Sequence, residues 1–404
     1  MRSEEHSLPF LTEGLPGTGG TLKEVPEDFL VEELPLYEPC GEGEHVYACI
    51  EKRGIDTREA VRRLSRALGV AEREVGYAGL KDARALTRQA LSLPRVEPAQ
   101  LLALEVPGLR VLSAVRHRNK LRLGHLRGNR FRVRVRQVAA GAAEMARQVL
   151  AVVEKRGVPN FFGQQRYGGQ GNSHHIGRAL LQGDHRLAVN LLIGDPSAVT
   201  DPAWRAALEA YRRGALAESL TLLPPFCRTE REVLRRLQAR PDDWRGALRA
   251  VSPRLVDLYL SAWQSSLFDR VLAHRLVELD RLRPGDLAWK HVNGACFLVT
   301  DAAAEASRAA SFEISPSGPL FGPRMAWPEG EPCAVEEVVL GEDGLSREAL
   351  VATAAAPDGA RRPLRVPLTE VHVAEDEDGL LLVFALPKGA YATAVLREVM
   401  KGPP

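Results

Sequence analysis

The segment Phe131-Arg132-Val133-Arg134-Val135-Arg136 alternates apolar and cationic residues without a break, and a strand is the element whose side chains repeat with that period. In such a strand Phe131, Val133 and Val135 face a core while the three arginines share the other face. The chain is therefore expected to contain a sheet packed on one side. The strand closes a longer anomaly. Between Arg116 and Arg136 stand nine lysines or arginines (Arg116, Arg118, Lys120, Arg122, Arg127, Arg130, Arg132, Arg134, Arg136) and no acid. Guanidinium groups fork onto phosphate oxygens, so such a row suits a polyanion, and a solvated outer face accounts for it equally well.

The formal net charge of the 404-residue chain is only +2, which argues against a wholly basic nucleic-acid coat and makes the local cluster more telling. That length predicts two domains, with three possible, and a hydrophobic content of 45% suffices to build them. Five scattered cysteines, Cys40, Cys49, Cys227, Cys296 and Cys333, are odd in number and fit a reduced compartment better than a disulfide framework. Cys40, His45 and Cys49 lie close enough to suggest metal ligands, but a zinc site wants a fourth and there is no Cys-x-x-Cys pair. The N-terminus lacks an apolar segment behind a basic start, and no run of about 18 apolar residues follows, so a soluble, cytoplasmic protein without membrane association is expected.

Along the chain, the first twenty residues are rich in Gly, Pro and Thr and read as flexible. Residues 29–33 and 46–50 read as strands, and Asp56-Thr57-Arg58-Glu59 reads as a capping box that opens a helix over 57–68, with Gly69 as its stop. The texture changes after Glu154: Gly157-Val158-Pro159-Asn160 breaks a helical pattern, and a helical, Arg/Glu-rich region runs to about Arg275. Residues 283–340, broken by Pro-Gly, Ser-Pro-Ser-Gly-Pro and Trp-Pro, read as short strands and loops. Residues 355–362 read as a connector to a final strand over 380–385 and a short helix ending near Met400.

One loop carries the chemistry. In Gly76-Tyr-Ala-Gly-Leu-Lys-Asp-Ala-Arg-Ala-Leu-Thr-Arg-Gln89 a single carboxylate, Asp82, stands among Lys81, Arg84 and Arg88. Neighbouring cations hold a carboxylate ionised, and the small Ala78 and Gly79 let a substrate approach the backbone. A charged aspartate can act as nucleophile or base, whereas on local pattern alone an Asp paired to Arg84 in a turn is the favoured reading, structural ion pairs being far commoner than catalytic acids. Other tempting features carry less. His174-His175 lacks an acidic or cysteine companion and reads as loop. The glycines at 17, 19 and 20 and at 168, 169 and 171 lack the strand and acid of a dinucleotide site, and no phosphate-cradling Gly-Lys-Ser/Thr occurs.

Taken together, Lys23 to Glu32, Ala78-Gly-Leu-Lys-Asp82, Gly128-Asn129-Arg130-Phe131 and Gly157 to Gly168 resemble, in order and wording, the TruD-type pseudouridine synthases. The likeness extends to Ser261-Ala-Trp-Gln-Ser-Ser-Leu-Phe268, Ser315-Pro-Ser-Gly-Pro-Leu-Phe-Gly322 and Leu386-Pro-Lys-Gly-Ala-Tyr-Ala-Thr393. It implies an α+β fold: a pseudouridine-synthase catalytic domain with an antiparallel sheet core, interrupted by an inserted α/β TRUD domain. The expected division is 1–156 and 361–404 for the catalytic domain and 157–360 for the insertion, with RNA lying in the cleft between them.

The implied activity is isomerisation of uridine to pseudouridine in tRNA, position 13 in the D arm being the usual bacterial target. No cofactor or metal is expected, and a monomer is. Asp82 would be the essential carboxylate, attacking C1′ or taking the 2′ proton to give a glycal, and the residues leave that choice open. The resemblance makes Phe131 the platform for the flipped base and Asn129 an orienting group for the catalytic loop, although the period-2 pattern gives Phe131 to the core. Lys23 would put a positive charge near Asp82, and Lys81, Arg84, Arg132, Arg134 and Arg166 are the remaining candidates for RNA contact. Tyr167, Trp263 and Ala83 depart mildly from the family pattern, and the insertion of roughly 200 residues exceeds that expected of compact bacterial members, which leaves another RNA target open. A catalytically silent RNA-binding or RNA-folding protein is the other alternative. A methyltransferase would want a Gly-rich cofactor loop after a strand, which the sequence lacks.

Overall fold

The structure, a computed structural model, describes residues 8–81 and 85–402, and its chain divides into two compact units. One unit comprises Phe10–Val158 and Val366–Pro404, the other essentially Pro159–Arg365.

The first unit is a mixed sheet with helices on one face. Its strands are β1 (Phe29–Pro35), β2 (His45–Arg53), β3 (Leu86–Pro94), β4 (Leu109–His117), β5 (Leu126–Arg136), β6 (Thr369–Asp376) and β7 (Gly379–Pro387). Its main helices are α1 (Thr57–Leu68), α2 (Ala142–Arg156) and α3 (Ala392–Met400). The sheet runs β6-β7-β5-β1-β3-β2-β4, with the two-residue strands Thr21–Leu22 and Gly76–Tyr77 added to β5 and β3. The pair β1/β3 is parallel and the other pairings are antiparallel. The chain therefore hops from β1 past its neighbour to β2, and α1 with the 76–81 loop occupies the return to β3.

Register fixes which side chains share a face. Lys52 opposes Thr87, Thr87 opposes Val31, Val31 opposes Phe131 and Phe131 opposes Phe384, a single row across five strands. On one half of that face α2 and α3 bury Phe131, Val133, Val135, Leu382 and Phe384. On the other half α1 buries Val46, Ala48, Ile50 and Leu91. The spacing of Val61, Leu64 and Leu68 forms α1 as expected: the Asp56 carboxylate accepts the Glu59 N–H, and Gly69 closes the helix at φ +67°. Where the two helix groups adjoin, the face carries polar residues instead: Lys52, Thr87 and Gln89 are each 1% exposed.

The first twenty residues read as flexible, yet residues 11–18 are pinned to α3. The buried Glu398 carboxylate accepts the Leu11 and Thr12 N–H groups and the Thr12 hydroxyl, and Thr18 N–H bonds Val399 O. Composition missed this because the partners come from the far end of the chain.

The second unit is helical from Gln164 to Glu278 and then builds an antiparallel sheet in the order Cys296–Leu298, Leu287–Lys290, Ile314–Leu320, Ala360–Pro363. The helix Pro253–Arg275 buries residues around most of its circumference, including Trp263, Leu267 and Phe268. Two expectations fail here. Gly330–Glu342 is a helix rather than loop, because Pro332 sits in its first turn, where no amide donor is needed. The expected connector ends in a strand, Ala360–Pro363, paired with Ile314–Leu320 and anchored by the buried Arg361–Glu336 ion pair at 2.8 Å.

Candidate active site

The site is assembled on the helix-bearing face of the first unit's sheet, at the loop that leads into Asp82. Asp82 and Arg84 themselves lie outside the described residues. Of the other two expected neighbours, neither lends Asp82 a free cation. Strand alternation sends Arg88 to the opposite face, where its Nε meets Glu51 at 2.8 Å. The Lys81 side chain is 7% exposed, and its ammonium turns into the sheet, 2.7 Å from Asn129 Oδ1 and 3.2 Å from Glu33 Oε2. Lys81 thus becomes a tie between loop and sheet, a correction to its expected role as an RNA contact.

Glu33 is the residue that sequence reasoning missed. It opposes Asn129 across β1 and β5, and its other carboxylate oxygen accepts the Ala90 N–H at 3.3 Å. Burial pushes its carboxyl above the ordinary value, with the Lys81 charge acting against that shift. A Cβ at Gly79 would stand 3.3 Å from Lys81 Nζ and 3.6 Å from Glu33 Oε2, so a side chain there would press only lightly on this pair. Gly128 is needed: its Cβ would fall 2.1 Å from Leu386 O on β7.

Phe131 lies mid-strand, two residues beyond Asn129 on the same face, and is 7% exposed. Its ring stacks on Phe384, centroids 5.5 Å apart, and meets Phe29 edge-on at 6.2 Å. The core reading from alternation describes this ring, which lies within the strand Leu126–Arg136. Lys23 joins the same group from outside: it is exposed, adopts φ +60°, and holds its ammonium 4.5 Å from the Phe29 ring centroid. The turn after Lys23 is fixed by buried Asp28, which accepts the Val25 N–H and is forked by Arg136 at 2.8–3.1 Å. The Arg136 hydrogen bonds hold the Asp28 carboxyl below its ordinary pKa.

The arginine row lies elsewhere. Arg130, Arg132, Arg134 and Arg136 occupy the face of β5 opposite Asn129 and Phe131, so Arg132 and Arg134 do not join the site. Arg130 pairs with Glu32 and Glu370, and Arg134 is bidentate to Asp376. Among the described residues Arg132 has no ion-pair partner. Arg166 belongs to the second unit, held by Ser265 Oγ at 3.0 Å and by Ser261 Oγ, with its guanidinium 5.4 Å from the Phe162 ring. His174 and His175, expected in a loop, begin the helix Ser173–Leu181, and burial pushes His174 down to about 4. Among the described residues no cluster of three or more His, Cys, Asp or Glu could hold a metal ion, and no helix is long and apolar enough to cross a membrane.

The loop that leads into Asp82 is thus held over the sheet through the Lys81 bonds to Asn129 and Glu33. The sequence pattern of tRNA pseudouridine synthase D (TruD) matches residues 7–399. The chain belongs to that family. It is 64% identical to tRNA pseudouridine synthase D of Geobacter metallireducens over 394 residues, covering 97% of this chain and 98% of the relative. It is 62% identical to that of Geobacter sulfurreducens, over 100% and 99% of the two chains. A Methanosarcina mazei crystal structure assigned to tRNA pseudouridine synthase D superposes with a TM-score of 0.85 at 29% identity, over 98% of this chain and 96% of that one. Because both Geobacter relatives align nearly end to end, the insertion that looked long for a bacterial member has its counterpart in them.

Proposed function

We propose that this protein isomerises uridine to pseudouridine in tRNA, at position 13 of the D arm, with Asp82 as the essential carboxylate. Membership of the tRNA pseudouridine synthase D family supports the reaction and the substrate class, and the resemblance of the motifs supports the finer target. The structural observation that carries the site is the loop Gly79–Lys81, fixed to the sheet by Asn129 and Glu33 immediately before Asp82.

The reaction breaks the bond from C1′ to N1, turns the base, joins C5 to C1′ and moves the C5 proton away while N1 gains one. It is redox-neutral and needs no energy donor, so the reading assigns no cofactor. A carboxylate opens it by attacking C1′ or by removing the 2′ proton. Asn129 orients the loop through Lys81, and Lys23 supplies positive charge at the rim of the Phe29–Phe131 group. Phe131 supports the pocket from within the core. The protein acts as a monomer in the cytoplasm in this reading.

The test is tritium release from total tRNA labelled at uridine C5, wild type against Asp82→Asn, with tRNA binding measured in parallel. Release by wild type alone, with equal binding by both, is expected. Turnover by the Asn variant would remove Asp82 from its role, and binding without release by either would favour a silent RNA-binding protein.

A further inference from the structure

The backbone from Ala78 to Lys81 belongs to no strand ladder, so its polar groups must find other partners, and most of those are side chains. Gly124 N–H supplies one backbone bond, to Ala78 O at 2.8 Å. Gln89 Nε2 donates to Gly79 O at 3.3 Å, the Lys81 N–H donates to Thr57 Oγ1 at 2.8 Å, and Lys52 Nζ donates to Lys81 O at 3.2 Å. The three side chains are linked further: Thr57 Oγ1 donates to Gln89 Oε1 at 2.9 Å, and Lys52 Nζ also reaches Ile55 O at 2.7 Å. They come from three elements, β2, α1 and β3, and each is only 1% exposed.

Two details go beyond ordinary loop packing. The Thr57 hydroxyl accepts from the loop and donates to Gln89, which sets the Gln89 amide so that its nitrogen faces Gly79 O. The Lys81 carbonyl, whose carbon is bonded to the Asp82 nitrogen, is held by an ammonium buried in the sheet face.

We infer that Lys52, Thr57 and Gln89 are positioning residues for the isomerisation, fixing the loop backbone up to Lys81, the residue before Asp82, with the Lys52 ammonium held at the Lys81 carbonyl. The inference rests on the functional reading above. None of the three is assigned to substrate contact; they act through the loop. Lys52 brings a buried cation to the end of the loop, whereas Lys81 and Arg88 are turned to Glu33 and Glu51.

The experiment measures kcat and KM for tritium release from uridine-C5-labelled tRNA by the full chain, with filter binding of the same tRNA and the melting midpoint. Thr57→Val is expected to lower kcat roughly 10- to 100-fold with KM and binding within about twofold, the cost of a misplaced reacting group. Thr57→Ser, which restores the hydroxyl, is expected to recover most of that loss. Lys52→Met is expected to lower kcat at least as much and to move the acid limb of its pH profile to higher pH, because a carboxylate deprived of a nearby cation ionises less readily.

Wild-type kcat in a folded Thr57→Val, a loss falling on KM instead, or equal losses in the Val and Ser variants would each overturn the clamp. Should Lys52→Met not fold, the Thr57 pair decides alone. Wild-type protein that releases no tritium would sink the functional reading, a result distinct from wild-type-like release by Thr57→Val.

Discussion

The two faces of β5 carry opposite kinds of polar chemistry. On the helix-bearing face Glu33, Gln89, Thr57 and Lys52 are buried and Asn129 and Lys81 half-buried, and most of their hydrogen bonds run to one another and to the backbone of the 78–81 loop. On the other face Arg130 and Arg134 meet acids of β1 and β6 in an open ladder, and Arg132 faces solvent. The arginine face holds far more formal charge, yet that charge is mostly matched within the sheet and screened by water. Fewer charges act on the buried face, and there each is felt more strongly because the surroundings are less polarisable. Charge density along a sequence is therefore a poor guide to where a charge acts strongly in this fold.

Substitutions on β5 and its neighbours can break that contrast. The largest effect is expected from Phe131→Ala, which removes a core ring stacked on Phe384 and should cost about 3–5 kcal/mol in denaturant unfolding as well as activity. An activity loss with unchanged stability would instead make Phe131 a platform held apart from the core. Asn129→Ala should leave the fold intact but cost Lys81 one of its two ties, leaving Glu33, and steady-state assays should show kcat reduced roughly 10- to 100-fold with tRNA affinity preserved.

Smaller still is the acid sensitivity from Asp28. Its pKa is lowered in the folded state, so its contribution is present above the ordinary aspartate value of about 3.9 and lost as pH falls through the lower folded value. Asp28→Asn should flatten the acid limb of a stability-versus-pH curve, and an unaltered limb would assign that sensitivity elsewhere.

The least effect is expected at the exposed ladder. Arg134→Ala should lower the melting midpoint only slightly, because Arg134 is part-buried but its partner Asp376 is half exposed to water. Arg132→Ala should leave the salt dependence of tRNA binding unaltered. A slope reduced by about 0.9 would show that Arg132 contacts a phosphate and that the outer face binds RNA after all.

Much of this organisation was legible from local pattern. The strand over 131–136, the capped helix 57–68 and the final strand and helix follow from periodicity and from signals adjacent in sequence, and each lies where those signals put it. The motif wording located the Asp82 loop and Asn129. Illegible were the partners of that loop. Lys52 sits in an otherwise ordinary strand, Thr57 reads only as the start of a helix, and Glu33 reads as one of two adjacent acids. The helix Gly330–Glu342 was hidden because Trp327-Pro328 just ahead of it marks the segment as broken, although a proline before a helix, or in its first turn like Pro332, is compatible with it.

The sequence by itself determined the alternation of β5, the family, and the loop that carries the carboxylate, because these depend on residues a few positions apart. The tertiary structure decided which cations matter. Registry across β2, β3, β1 and β5 turned Arg88, Arg132 and Arg134 away from the loop and brought Lys52, thirty positions before Asp82, beneath it. A strand's period assigns each side chain to one of two faces, but only the packing of helices on one of them determines which face is buried and so where a charge acts strongly.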